Sequence, residues 1–317
     1  MDIYGKLNSR QKKTLAAIGE RLELDWDTVG PTLFYERLRA LESLDLSEMP
    51  ISDLSPLTGL INLKQLSLKN TRVTKLQPLA TLTGLERLDL WGVKGSDYSP
   101  LSELTGLTEL DLTANKLQSI DFLTPLIALT RLGLGNTRIR KVDALAGMTG
   151  MTELRALNAM NTGVSDISAL AGMRRLTRLE LWGNDLVDLS PLAGMTDLTH
   201  LELQRSKRLV DLSPLAGLSS LTWLGLTGTG ASDLSPLAGL STLESLYIYQ
   251  MPIQDISPIL GLTQLKTLGI GGNPFTDCRP LLALTGLTTF FTNHDMSELP
   301  GVAEIHEMVS RNVVGNV

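Results

Sequence analysis

Asp188-Leu189-Ser190-Pro191-Leu192-Ala193-Gly194-Met195-Thr196-Asp197-Leu198-Thr199-His200-Leu201-Glu202-Leu203 is the stretch on which the reading of this chain turns. Its first five residues return at Asp53, Asp211 and Asp233, and its closing phrase, Leu-x-x-Leu-x-Leu, returns about every 22 residues. Self-similarity at one short period implies stacked coils, each too small to bury its own apolar face. With the first leucine of the phrase as position one, coils begin at Leu41, Leu63, Leu85, Leu107, Leu129, Leu154, Leu176, Leu198, Leu221, Leu243 and Leu265. A degenerate twelfth begins at Leu287.

Leucines at positions one, four and six alternate with outward positions three, five and seven, the period of two that marks a short strand. The second half of a coil reads Asp-[Leu/Ile]-Ser-Pro-Leu. There Ser at position 15 is predicted to cap a helical turn, and Pro at position 16 to sit where a missing N–H is tolerated. Proline holds that place at Pro56, Pro78, Pro100, Pro191, Pro214, Pro236, Pro258 and Pro280. Strands about 4.8 Å apart on one side and bulkier turns on the other force such a stack to bend. The expected fold is therefore an α/β solenoid, with a curved parallel sheet on the concave side and 3₁₀ or short helical turns on the convex side.

Residues 1–40 are read as a helical N-terminal cap, 41–294 as repeats and 295–317 as a C-terminal helical cap. A first helix is predicted from Ser9 through Leu22, with Leu15, Ala16, Ile18, Gly19 and Leu22 on its apolar side. Pro31 opens a second helix. Val302, Ile305, Met308 and Val309 give the last segment a helical stripe that should lie on the final coil. Position nine, the turn out of the strand, is Asn at Asn115, Asn184 and Asn273 but Thr at Thr71, Thr137, Thr162 and Thr229. It is Ser at Ser206 and apolar at Met49, Val93 and Met251. A hydroxyl offers fewer contacts than an amide, so the hydrogen-bond ladder should be interrupted there. Two coils break the period, with three extra residues assigned to Met151–Glu153 and one to Lys207-Arg208; both are read as loop insertions.

Hydrophobic residues make up 43% of the chain but aromatics only 4%, so the core is aliphatic. A net charge of -6 disfavours nucleic acid, which is held through cationic side chains. One cysteine, Cys278, cannot form an intramolecular disulfide. No apolar run approaches 18 residues, and the polar run Asn8–Lys13 follows the N-terminus where a Sec signal would be apolar. No membrane association is expected.

The phrase Asp188 to Thr196, repeated at this period, resembles the internalin-like subclass of bacterial leucine-rich-repeat proteins over about four-fifths of the chain. The resemblance implies binding of a partner protein on the concave face, and the chain is read as a monomeric, non-catalytic scaffold. The alternative is the recognition module of an adaptor-type bacterial effector acting on a host protein, and an enzyme ranks third. Surface internalins carry an export signal and wall-anchoring segments that are not found here. The expected location is cytoplasmic, or outside the cell by a signal-peptide-independent route.

Phosphate loops, His-Glu-x-x-His, paired cysteines and nucleophile elbows are absent from the sequence. Cys278 falls at position 14, where other coils place Leu or Ile, and is read as a buried hydrophobe. His200, at position three beside Glu180 and Glu202 at position five, suggests a binding or solvated group on an open sheet. His294 and His306 form no evident ligand cluster with it, so neither metal nor cofactor is expected.

The aromatics carry the sharpest functional signal. Ten lie between residues 41 and 294, and Trp91, Trp182, Trp223, Tyr247, Tyr249 and Phe291 occupy positions three, five or seven. Those positions are about one residue in seven, so chance would place one or two there. Outward aromatics anchor protein interfaces. With Met160, His200 and Glu202 they outline a binding surface toward the C-terminus, while Asp89 and Asp111 line a mainly acidic N-terminal half. The expected partner has a basic patch and an apolar anchor.

Overall fold

The computed structural model describes residues 7–117, 119–137, 139, 150–292 and 296–314. The chain groups into two compact units, Met1–Arg140 with Ala146–Leu154, and Lys141–Leu145 with Arg155–Val317.

In the first unit α1 (Ser9–Leu22) and α2 (Trp26–Arg39) precede the strands β1 (Ser43–Asp45), β2 (Gln65–Ser67), β3 (Arg87–Asp89), β4 (Glu109–Asp111) and β5 (Arg131–Gly133). All five are parallel and paired in sequence order, with Leu44, Leu66, Leu88, Leu110 and Leu132 in register. Asn8 caps α1 through a reciprocal box with Gln11. α1 buries Thr14, Leu15, Ala17, Ile18 and Gly19, so the apolar side is turned from the expected one: Ala16 is exposed and Ala17 buried. The reason is polar as well as apolar. Thr14 donates to the Asp53 carbonyl at 2.7 Å and Gln11 to the Ser55 hydroxyl at 2.9 Å, which fixes the helix on the first coil. α2 breaks at Gly30, just before Pro31, and buries Phe34 and Leu38.

The second unit contains β6 (Ala156–Asn158), β7 (Arg178–Glu180), β8 (His200–Glu202), β9 (Trp223–Gly225), β10 (Ser245–Tyr247), β11 (Thr267–Gly269) and β12 (Thr289–Phe291). These too are parallel and in register, from Leu157 through Leu179, Leu201, Leu224, Leu246 and Leu268 to Phe290. α3 (Val302–Val314) lies on the last coil, burying Val302 and Ile305, while Asn312 donates to the Thr285 and Leu287 carbonyls.

Among the described residues the coils close through 3₁₀ turns such as Ser190–Leu192 or Ser213–Leu215, with proline in the first positions except at Asp121–Leu123 and Ser168–Gly172. The serine does not cap the turn. The carboxylate at position 13 instead accepts the Ser N–H two residues on, as Asp188 does at 2.7 Å, Asp211 at 2.8 Å and Asp233 at 2.8 Å. An Asp side chain is the right length to close such a turn, whereas the Ser hydroxyl turns back to donate to the same carboxylate, at 2.8 Å for Asp188 and Asp233. These bonds hold the Asp97, Asp166, Asp211, Asp233 and Asp255 carboxyls below their ordinary range.

Position nine follows the expectation in part: Ser206 still donates to the Asn184 carbonyl one coil back, and the Asn115 Oδ1 accepts no hydrogen bond among the described residues. The Asn184 amide donates to Ala159 and Leu181 carbonyls, each at 2.8 Å, and its oxygen accepts from Thr162 and Gly163 one coil back. Thr137 and Thr162 donate within their own coils, and the Thr71 and Thr229 hydroxyls make no hydrogen bond among the described residues.

One insertion is misplaced by the period alone. Leu154 N–H donates to the Met151 carbonyl, and Met151 is fully buried, just as Leu176 bonds Met173 in the next coil. Met151–Glu153 are thus regular residues, and the three extra ones lie earlier, in a stretch mostly outside the described residues. The extra residue at Lys207-Arg208 is a loop, as expected: Leu209 still fills the core, and Arg208 pairs with Asp185 at 3.2 Å.

Candidate functional site

On the sheet face of the first unit the charges are already committed. Asp45, Asp89 and Asp111 at position five accept the N–H groups of Ser47, Trp91 and Thr113, at 2.8, 2.9 and 2.8 Å. Glu109 lies between Arg87 at 3.4 Å and Arg131 at 3.9 Å. Trp91 lies under the Lys69 ammonium, 5.0 Å from its ring centroid. One oxygen of Asp89 and of Asp111 is thus held by the strand's own backbone, because an Asp carboxylate two residues before an N–H closes a tight local ring, while both remain acidic groups on this face.

The second unit presents a different face. His200 and Trp223 are register partners, and their rings stack 4.2 Å apart at 17°. Trp223 meets Tyr247 at 5.2 Å. The three rings form a ladder across β8, β9 and β10, built from positions three and five of successive coils. Gly225 and Gly269 make room for it. A Cβ on Gly225 would stand 2.3 Å from the Gln204 amide and 2.8 Å from the Trp223 indole. One on Gly269 would stand 2.3 Å from the Tyr249 ring. Tyr249 thus lies over bare backbone, and burial pushes its phenol up. These glycines were not singled out by the sequence reading, although Gly at position five, where a strand normally projects a side chain, was the available signal.

The other sequence-predicted residues surround this ladder unevenly. Trp182 lies beneath the Arg205 guanidinium, 5.4 Å from its centroid, and Met160 holds the same position one coil back. Phe291, on β12, is 45% exposed and is paired in register with Gly269. Glu202 contacts His200 at 3.0 Å between Oε1 and Nε2. Glu180 is its register partner on β7, and the ligand atoms of Glu180, His200 and Glu202 all lie within 4.8 Å of one another. His200, placed beside both glutamates by coil position, meets them in the structure, whereas the expectation of no metal weighed only the three histidines. Coil position already sets the three side by side, but how closely their ligand atoms approach depends on strand register and side-chain length. His306 instead packs edge-on against Phe290 at 5.4 Å, and His294 lies outside the described residues. Cys278 is buried, which raises its thiol to about 11, as expected of a core residue rather than a nucleophile.

Comparison with known proteins agrees with this architecture. A family described as "Leucine Rich repeats (2 copies)" matches residues 39–81. No curated protein sequence matches the chain. Among solved structures, an internalin from Listeria monocytogenes is 28% identical, covers 82% of each chain and superposes with a TM-score of 0.70. A Leptospira interrogans leucine-rich-repeat protein is 18% identical, covering 82% of this chain and 80% of that one, with a TM-score of 0.57. The plant peptide hormone receptor RGFR1, in complex with RGF2, is 19% identical with a TM-score of 0.62; the match covers 80% of this chain and 48% of the receptor. The chain is a leucine-rich-repeat solenoid, similar to the internalins. No helix among the described residues is long and apolar enough to cross a membrane.

Proposed function

We propose that this protein is a non-catalytic scaffold that holds a partner protein on the sheet face of its second unit. The observation that carries the reading is the ladder His200–Trp223–Tyr247, backed by Tyr249 and seated over Gly225 and Gly269. Large rings held on paired strands lose little conformational freedom on binding, which is why aromatic anchors dominate interface energetics. The apolar part of the partner belongs on these rings. Glu180 and Glu202 beside them suit a cationic group next to that anchor. A net charge of -6 and a binding face without a cationic stripe favour protein over nucleic acid.

A catalytic role is disfavoured by the same geometry. His200 is stacked on an indole and bonded to Glu202, so its ring face and its Nε2 are both engaged within the sheet.

The test is affinity capture from lysate with the wild-type chain and the doubly substituted Trp223→Ala, Tyr247→Ala chain side by side, followed by titration of the captured protein. The double variant is expected to bind more weakly by over about 2 kcal/mol, or about 30-fold. Equal capture by a correctly folded variant defeats the reading. Delivery of a tagged copy into host cells separates the effector reading from a role in the producing cell, and is expected only for the former.

A further inference from the structure

We propose that Glu180, His200 and Glu202 form a binding site for a divalent transition-metal ion of the zinc type. The register supplies the geometry. Glu180 and Glu202 are direct partners on β7 and β8, and His200 precedes Glu202 by two residues on the same face. One ligand atom from each comes within 4.8 Å of the others, and the three side chains are only 16%, 16% and 18% exposed. Among the described residues this is the one grouping of three such side chains close enough to share an ion. Zinc bonds of about 2.0–2.2 Å place tetrahedral ligands roughly 3.4 Å apart, so small side-chain rotations close the set.

Two further observations separate this cluster from an ordinary run of acids. The first is the contrast with Asp45, Asp89 and Asp111, whose carboxylates hold their own strand's N–H groups. Glu180 and Glu202 stand at the same position five but carry one more methylene, and they turn to Arg178 and His200 instead. Like charges directly opposed on neighbouring strands repel, and a cation between them reverses the sign of that interaction. The second is the imidazole itself. Stacking on Trp223 holds the ring with Nε2 toward Glu202, and an imidazole with two carboxylates selects zinc-like ions over calcium or magnesium. The Arg178 Nε holds Glu180 Oε1 at 2.5 Å, leaving Oε2 for the ion, the kind of outer support that orients metal ligands. Three protein ligands leave a fourth position for water or for a side chain of a bound protein.

The test uses the full chain, stripped of metal with a chelator that is then removed. Zn²⁺ is titrated by calorimetry, and Co²⁺ or Cu²⁺ by quenching of tryptophan fluorescence, because the Trp223 indole stacks on the proposed ligand ring. One equivalent of Zn²⁺ is expected to bind and to compete with the quenching ion, and Trp223→Phe is expected to remove most of the quenching. Loss of an outer-shell partner alone costs about 10- to 100-fold, so His200→Ala, Glu180→Gln and Glu202→Gln are each expected to weaken Zn²⁺ by at least about tenfold. His306→Ala is expected to leave it unchanged. The two glutamine variants are isosteric and keep the test open should His200→Ala fold poorly. No saturable Zn²⁺ binding, or binding that survives all three ligand substitutions, overturns the proposal. The titration needs no partner protein, so its failure is distinct from that of the scaffold reading.

Discussion

The sheet faces of the two units are built on one coil plan and end with different surfaces. In the first, position five is Asp at Asp45, Asp89 and Asp111, and each carboxylate is turned back onto the N–H two residues on. In the second, position five is Glu at Glu180 and Glu202, then Gly225, Tyr247 and Gly269. One methylene takes the carboxylate out of reach of its own backbone, and a missing side chain on the neighbouring coil leaves a trough for a ring. Small changes at one outward position therefore exchange carboxylates held by their own backbone for carboxylates held by neighbouring side chains.

The comparison can be broken most forcefully at position nine. Asn184→Ala removes the donors to Ala159 and Leu181 and the acceptor for Thr162 and Gly163, leaving several buried backbone groups unpaired. A cost of about 3 kcal/mol or more is expected in denaturant unfolding. Thr71→Val in the first unit removes a hydroxyl that has no hydrogen bond, and should be neutral or slightly stabilising. Equal losses would show that the amide ladder does not distinguish these sites.

A smaller effect is expected from filling a trough. Gly269→Ala forces the Tyr249 ring to move, with a stability cost of about 1–2 kcal/mol and a fall in partner capture. Gly133→Ala in the first unit meets the Asp111 carboxylate at 2.6 Å and should destabilise without touching capture. Thermal melts beside capture assays check both.

The smallest effect is the pH response of the turn aspartates. The carboxyls of Asp166, Asp211, Asp233 and Asp255 in the second unit, and of Asp97 in the first, are held below their ordinary value. Their contribution is complete above the ordinary carboxylate range and disappears as pH falls through the lowered folded values. The melting temperature should accordingly be insensitive to these groups near neutrality and decline below about pH 4. Replacing Asp211, Asp233 and Asp255 together by Asn should flatten that acid limb, and an unaltered limb would show that these turns do not report on acid unfolding.

Much of this was legible in the chain. The strands, the proline-bearing turns and the outward aromatics follow from alternation and period, because a coil repeated many times leaves its burial pattern in every copy. The serine cap was misassigned because Ser and Asp both suit a turn and only side-chain reach decides which closes it. The extra residues before β6 were misplaced because counting between leucines shows that residues were added, but not where. Met151 settles this by filling the core.

The sequence by itself determined that the chain must stack, which residues face inward, and that six of its rings face outward, since these depend on periods of two and of about 22. Only the tertiary structure decided what the outward residues meet. His200 on Trp223, Glu180 opposite Glu202 and Tyr249 over Gly269 are contacts between residues about one coil apart. Their existence rests on strand register and side-chain length, quantities fixed when neighbouring coils pack and their backbones pair.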